Sequence, residues 1–323
     1  MGKPCILVQS EYFWKGSAKG ALARDYNLVH NTEFRVGSAV QSEVVALIVG
    51  EQSCTAEIMG SFPNLKTVAR TATGYDNIDV EWARKHGIVV TRASKINGET
   101  AATFTVGLII DLTRGITKSH QKLSTGTWER PLDALSLAEL TIGIVGLGVM
   151  GRALAKKLHA LGVKRILGWN RTWRPEVFAE VLDKIEVSQS LSEVMKNSDV
   201  VVICLALNDG TRGFIDRLLL SYLKRGAFLI NTSRGAVADE EALIDMVAEN
   251  RIAGVALDVY SVEPPLGEPW FQHLRALSAT RNVILTPHIG SAVMDALEKT
   301  FAQVVKNVRG VLEGNMDGVE VVD

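Results

Sequence analysis

The sequence predicts an α/β protein built from two doubly wound parallel-sheet domains, and three observations carry that expectation. Short β-branched runs recur along the whole chain with helical patterns between them, as parallel sheets covered on both faces by helices require. The length, 323 residues, suits two domains of the usual ~100–200 residues each. A Gly-x-Gly-x-x-Gly run near the middle of the chain links one such strand directly to a helix.

Taken in order, strands are expected at 6–9, 44–49, 67–71, 88–91, 142–145, 166–169, 200–206, 228–231, 254–259 and 283–286. Helix punctuation agrees with the series. Asp239-Glu240-Glu241 opens an amphipathic segment that runs through Met246 and Ala248 and stops near Asn250. No internal repeat or low-complexity linker interrupts the pattern, so the boundary between domains must itself be a structural element. The apolar, helically spaced segment 99–122 fits that part, as one long helix passing from one domain into the other.

Composition narrows the function. Hydrophobic residues at 47% and charged residues at 22% describe a packed globular chain and exclude global disorder. Lysine and arginine total 35 against 36 acids, so no basic field exists to hold nucleic acid or an anionic membrane, and a small-molecule partner is expected. Cys5, Cys54 and Cys204 are odd in number and lack Cys-x-x-Cys spacing, which points to a reducing, cytoplasmic setting without disulfides or a cysteine-bound metal. Residues 1–6 read as carrying neither a secretion signal nor a lipid anchor. The longest apolar stretches, such as 44–50 and 106–110, fall far short of the ~20 residues of a spanning helix.

The run Thr141-Ile142-Gly143-Ile144-Val145 reads as a buried strand leading into Gly146-Leu147-Gly148-Val149-Met150-Gly151 and then a helix. In that context Gly146 allows a tight turn, Gly148 lets the backbone approach a pyrophosphate, and Gly151 lets helix and strand pack closely. The residue facing an adenosine ribose stands about 20 positions on, which here is Asn170, in Trp169-Asn170-Arg171-Thr172. An acid there would hold a ribose 2′-hydroxyl and repel a 2′-phosphate, whereas a guanidinium welcomes the phosphate. Asn170 with Arg171, joined by Thr172 and Arg174, therefore predicts NADP(H) over NAD(H). The plain alternative is that Arg171 and Arg174 are solvated surface charges.

Three further strands end in polar residues: Ile230-Asn231-Thr232-Ser233-Arg234-Gly235, Asp258-Val259-Tyr260-Ser261-Val262-Glu263-Pro264, and Leu285-Thr286-Pro287-His288-Ile289-Gly290. Carboxyl ends of parallel strands line the ligand crevice. Hydride transfer to a carbonyl needs a proton donor near neutral pH, a cation for a carboxylate, and an acid to tune the donor. His288, Arg234 and Glu263 supply those chemistries. Read alone, a histidine after proline is an ordinary structural residue; the three segments together carry the argument.

With these motifs, and with Gly74-Tyr75-Asp76-Asn77-Ile78-Asp79, the chain resembles the D-isomer-specific 2-hydroxyacid dehydrogenases over nearly its whole length. The resemblance implies a flavodoxin-like substrate domain from 1–100 and 291–323, with a Rossmann-like cofactor domain at 101–290 inserted into it. It implies that Arg234 and backbone amides at Thr73 and Gly74 hold the carboxylate of a 2-oxo acid, and that His288 gives the proton. It implies that Glu263 pairs with the imidazole and favours its protonated form. For the cofactor it implies contacts at Gly146, Gly148, Val149, Met150, Gly151, Asn170, Arg171, Thr172, Arg174, Ala206, Thr211, Thr232 and Asp258, with no metal. Glyoxylate and hydroxypyruvate are the first substrates to expect, and a homodimer is the assembly to expect. His30, His86, His120, His159 and His273 match no motif and read as structural or surface residues.

The chain departs from the family pattern at Ala72, where a glycine is usual, at Thr73, and at Thr103, which replaces an acid early in the crossing helix. Cys204 and Ala206 stand where His and Pro are frequent. None touches the triad, so substrate choice is what these departures and the loop 129–137 bear on. Two other readings compete. A β-hydroxyacid dehydrogenase would carry its fingerprint at the N-terminus and use a catalytic lysine, and a nucleotide-sensing corepressor of the same fold would tend to carry extra tails and an NAD-type acid.

Overall fold

The computed structural model describes residues 3–34, 39–130 and 133–322. Met1 and Gly2, on which the N-terminal reading partly rests, and residues 131 and 132 of the 129–137 loop lie outside the described residues. Two compact units emerge: Met1–Asn97 with Ala292–Asp323, and Gly98–Ser291.

The first unit contains β1 (Cys5–Val8), β2 (Asn27–His30), β3 (Val44–Val49), β4 (Thr67–Arg70) and β5 (Val89–Arg92), parallel throughout in the order β2-β1-β3-β4-β5. That is the flavodoxin-like strand order. Alternation along the strands sends Leu7, Leu47, Val49, Val68 and Val90 to one apolar layer and Ile6, Val8, Ala46, Ile48 and Ala69 to the other. The helix Met294–Glu313 closes the second layer with Phe301, Val304 and Val308.

The second unit contains β6 (Thr141–Val145), β7 (Arg165–Trp169), β8 (Glu186–Val187), β9 (Val200–Ile203), β10 (Phe228–Asn231), β11 (Gly254–Leu257) and β12 (Val283–Leu285). The order is β12-β11-β10-β9-β6-β7-β8, again all parallel. From β6 the chain runs outward to β8, then returns to pair β9 on the other side of β6. This reversal makes the end of β6 a topological switch point, where ligands bind in such sheets. Ile142, Ile144, Val202 and Ile230 fill one face; Val145, Leu167, Val201, Leu229 and Leu257 fill the other.

Two expectations need correction. The segment 99–122 is not one helix: Lys95–Arg114 and Ile116–Ser124 are separated at Gly115, whose φ of 61° is left-handed and favours glycine. The strand expected at 200–206 ends at Ile203, and the chain beyond it forms a loop. Two short strands, β2 and β8, escaped the sequence pattern altogether. By contrast the helix Glu240–Ala248 begins as anticipated, with Asp239 accepting from the Ala242 amide at 2.9 Å and Asn250 left-handed just past its end. No described helix is long and apolar enough to cross a membrane.

Candidate active site

The ends of β10, β11 and β12 are neighbours in the sheet, and each carries one of the three polar segments. After β10, Asn231 folds the chain on itself: its Oδ1 accepts from the Ser233 amide at 3.1 Å and hydroxyl at 2.9 Å, and its Nδ2 donates to the Arg234 carbonyl at 3.0 Å. Arg234 Nη1 donates to the Ser233 carbonyl at 2.8 Å. Gly235 then passes directly beneath the next loop, where a Cβ would fall 2.0 Å from the Tyr260 carbonyl carbon. Only glycine permits that approach.

After β11, buried Asp258 organises the segment that follows β12. Its Oδ1 accepts from the Thr286 hydroxyl at 2.7 Å and the Ile289 amide at 2.8 Å, and its Oδ2 accepts from the Gly290 amide at 2.8 Å. The His288 amide donates to the Asp258 carbonyl at 2.9 Å. These bonds hold His288 at a φ of 54°, a left-handed conformation uncommon outside glycine.

So held, His288 places Nδ1 at 2.7 Å from Glu263 Oε2. Glu263 Oε1 accepts from the Tyr260 amide at 3.0 Å, and the Tyr260 hydroxyl donates to the Thr286 carbonyl at 3.0 Å. Burial alone would push the Glu263 carboxyl up. The His288 hydrogen bond, the Tyr260 amide and the charges of His288 and Arg234 outweigh it and hold the group below the usual carboxylate range. An ionised Glu263 makes Nδ1 the donor of the pair. The side chains of His288 and Glu263 are 42% and 37% exposed, so a small molecule can reach them.

At the switch point, Gly146 has a φ of 105°, and a Cβ there would lie 2.8 Å from the Cys204 carbonyl oxygen. A Cβ on Gly151 would strike the Gly146 carbonyl oxygen at 2.0 Å. At Gly148 a Cβ would meet nothing within 4 Å, so the turn leaves open space in front of its backbone. The helix Val149–Ala160 starts there with no side-chain cap and no acid in its first turn, a start suited to binding an anion. The residues therefore fit a dinucleotide pyrophosphate.

Asn170 accepts from the Leu147 amide at 3.0 Å and donates to the Thr172 carbonyl at 2.7 Å, bracing the turn itself. Exposed Arg171 reaches across to the Gly210 carbonyl at 3.3 Å. Thr172 and Arg174 are exposed beside it, and Arg174 precedes the short helix Pro175–Phe178. Buried Thr211 donates to the Ala206 carbonyl at 2.7 Å and so shapes the facing loop, while Ala206 itself is exposed. Thr232 spends its hydroxyl on Thr105, at 2.8 Å, tying the Arg234 loop to the helix Lys95–Arg114.

In the first unit, Thr73 and Gly74 sit on a braced loop: Arg70 Nε donates to the Gly74 carbonyl at 2.9 Å, and the Thr73 hydroxyl to the Ser94 carbonyl at 3.4 Å. Thr103, the departure in the helix Lys95–Arg114, bonds the Glu99 carbonyl one turn back. Burial pushes the Cys204 thiol up to about 12, so it takes no part as a nucleophile.

Residues 106–290 match the family model described as D-isomer specific 2-hydroxyacid dehydrogenase, NAD binding domain. The chain belongs to that family. A glyoxylate reductase of Thermofilum pendens is 38% identical over 81% of this chain and 76% of its own. A hydroxypyruvate reductase of Thermotoga maritima is 32% identical over 82% of this chain and 84% of its own. Among solved structures, an NADPH-dependent glyoxylate/hydroxypyruvate reductase from Sinorhizobium meliloti, in complex with NADP and malonate, superposes with a TM-score of 0.81 at 29% identity, covering 96% of this chain and 93% of that one. The chain is thus a D-2-hydroxyacid dehydrogenase with a Rossmann-type NAD(P)-binding domain.

Within this dehydrogenase Thr105, Tyr260 and Glu240 also belong to the site's scaffold. Tyr260 stands in the segment 258–264, but its residue type carries no signal of that part. Glu240 has the pattern of an acid suited to a helix start, and nothing in its spacing signals a partner 21 residues away in the chain.

Proposed function

We propose that the protein is an NADP(H)-dependent reductase of small 2-oxo acids, glyoxylate and hydroxypyruvate first, with His288 as proton donor. The observation that carries this reading is the His288–Glu263 pair at 2.7 Å, standing with Arg234 on the ends of three adjacent strands. Arg234 binds the substrate carboxylate. When bound, the reduced nicotinamide supplies a hydride to the carbonyl carbon. His288 Nε2 gives a proton to the carbonyl oxygen, and Glu263 steadies the imidazolium before that transfer and the imidazole after it.

The coenzyme preference rests on Asn170, which carries no charge to repel a 2′-phosphate, and on exposed Arg171 beside Thr172 and Arg174. Three free, buried cysteines suit a reducing cytoplasm. Exposed Ile116, Leu123, Trp128 and Leu135 support a homodimer, which sedimentation reads directly; a monomer at micromolar concentration would contradict it.

The test of the reading is initial rates with glyoxylate, hydroxypyruvate, pyruvate and phenylpyruvate, each with NADPH and NADH. Turnover is expected with NADPH on the two smallest hydroxylated or unsubstituted acids. Arg171→Ala is expected to lower kcat/KM for NADPH about tenfold or more, the worth of one charge-assisted contact, and to leave NADH nearly unchanged. Faster turnover with NADH in the unaltered enzyme contradicts the coenzyme assignment. Coenzyme binding without turnover on any 2-oxo acid favours a nucleotide sensor.

A further inference from the structure

The loop that carries Glu263 is held by a side chain outside the triad. Glu240 opens the helix Glu240–Ala248, yet the cap of that helix is Asp239. The Glu240 carboxylate reaches instead to Ser261, accepting its amide on Oε1 at 2.8 Å and its hydroxyl on Oε2. Ser261 lies between Tyr260, whose amide binds Glu263 Oε1, and Glu263, whose Oε2 meets His288. The same stretch rests on Gly235, where a Cβ would be 2.3 Å from the Ser261 nitrogen. Residues 235–240 are therefore both the floor and the clamp of this loop.

The clamp works against its own electrostatics. Burial pushes the Glu240 carboxyl up, its two bonds to Ser261 oppose that, and the negative charges of Glu263 and Asp239 push it further. A half-buried carboxylate beside a second one is a costly way to fill space, and bonding both groups of Ser261 is what it accomplishes. What those bonds fix is the peptide two residues before Glu263.

We propose that Glu240 is a positioning residue for the reduction: by locking the Ser261 amide and hydroxyl it sets the direction in which Glu263 presents Oε2 to His288 Nδ1. The inference rests on the proton-donor reading of His288. Orientation of a reacting group acts on turnover more than on ground-state affinity, and a displacement of ~1 Å can cost about 100-fold.

The experiment compares Glu240→Ala, Glu240→Gln and Ser261→Ala in the full chain with His288→Ala as reference. It reads kcat, KM for NADPH and for the faster of glyoxylate and hydroxypyruvate, and the unfolding midpoint. Glu240→Ala is expected to lower kcat about 10- to 100-fold with both KM values nearly unchanged. Glu240→Gln can still accept from the Ser261 amide and exchange a hydrogen bond with its hydroxyl, so it restores most of the lost turnover. Ser261→Ala keeps the backbone bond alone and falls between. Unchanged kcat per folded molecule in Glu240→Ala overturns the proposal, as does equal loss in Glu240→Ala and Glu240→Gln. Should Glu240→Ala fail to fold, an unchanged kcat in Ser261→Ala overturns it. Full turnover in His288→Ala overturns the underlying reading instead, which separates the two failures.

Discussion

His288 occupies a backbone conformation that costs most side chains ~1–2 kcal/mol relative to the right-handed region, and it is held there by the Asp258 carbonyl and by the bonds Asp258 makes on either side of it. That rigidity suits the proton-donor role proposed for His288, because its reach is set before substrate arrives. Glu263 adds a pH dependence whose sign is fixed by its lowered carboxyl. A group held below its ordinary value of 4.5 stabilises the folded state above that value and stops doing so as pH falls through its folded value. The stability difference between the wild type and Glu263→Gln, read by denaturant unfolding, is therefore expected to be largest near neutrality and to narrow below pH 4.5. A difference that widens on acidification would contradict the pairing. The roles proposed for Arg234, Glu263 and His288 could be argued from residue types at strand ends. The acids behind them, Glu240 above all, could not, because their partners are set by tertiary approach and not by spacing.

At the scale of elements, the interior strands were legible because each is buried on both faces and reads as a largely apolar run, such as Val44–Val49 or Val200–Ile203. Two of the four edge strands, β2 and β8, were not. β2 offers only Leu28 and Val29 between Asn27 and His30 and is partly exposed, and β8 is two residues long. Gly115 was missed as a helix break for a different reason: a single glycine is tolerated inside a helical pattern, and the apolar spacing on either side of it continues in phase. The fingerprint helix makes the strongest demand of any element. A Cβ at Gly151 would enter the Gly146 carbonyl, which belongs to the turn itself, so neither side can yield alone. Gly151→Ala is expected to destabilise the protein by roughly 1–3 kcal/mol, as overpacking does, and to raise KM for the coenzyme as the turn is displaced. A variant with native stability and native coenzyme KM would show that the turn is more pliant than this geometry allows.

For the whole molecule, the near-zero net charge of −1 excludes capture by a general positive field. On the function proposed above, anion recognition falls to local devices: Arg234 for a carboxylate, the start of the helix Val149–Ala160 for a pyrophosphate, and Arg171 for a 2′-phosphate. The fold class was legible from the alternation of strands and helices alone, and the strand orders of both sheets agree with it. The order itself, with its reversal at β6, is not written in any one segment, because it depends on which strands pair across long stretches of chain. On the function proposed above, reduction depends on a proton from His288. The direct measurement is single-turnover oxidation of bound NADPH by glyoxylate or hydroxypyruvate in the wild type and in His288→Ala, with NADPH affinity measured separately. A loss of at least 100-fold in the rate, typical of a removed general acid, with NADPH affinity unchanged is the expected result; a His288→Ala enzyme that oxidises NADPH at the wild-type rate would contradict it.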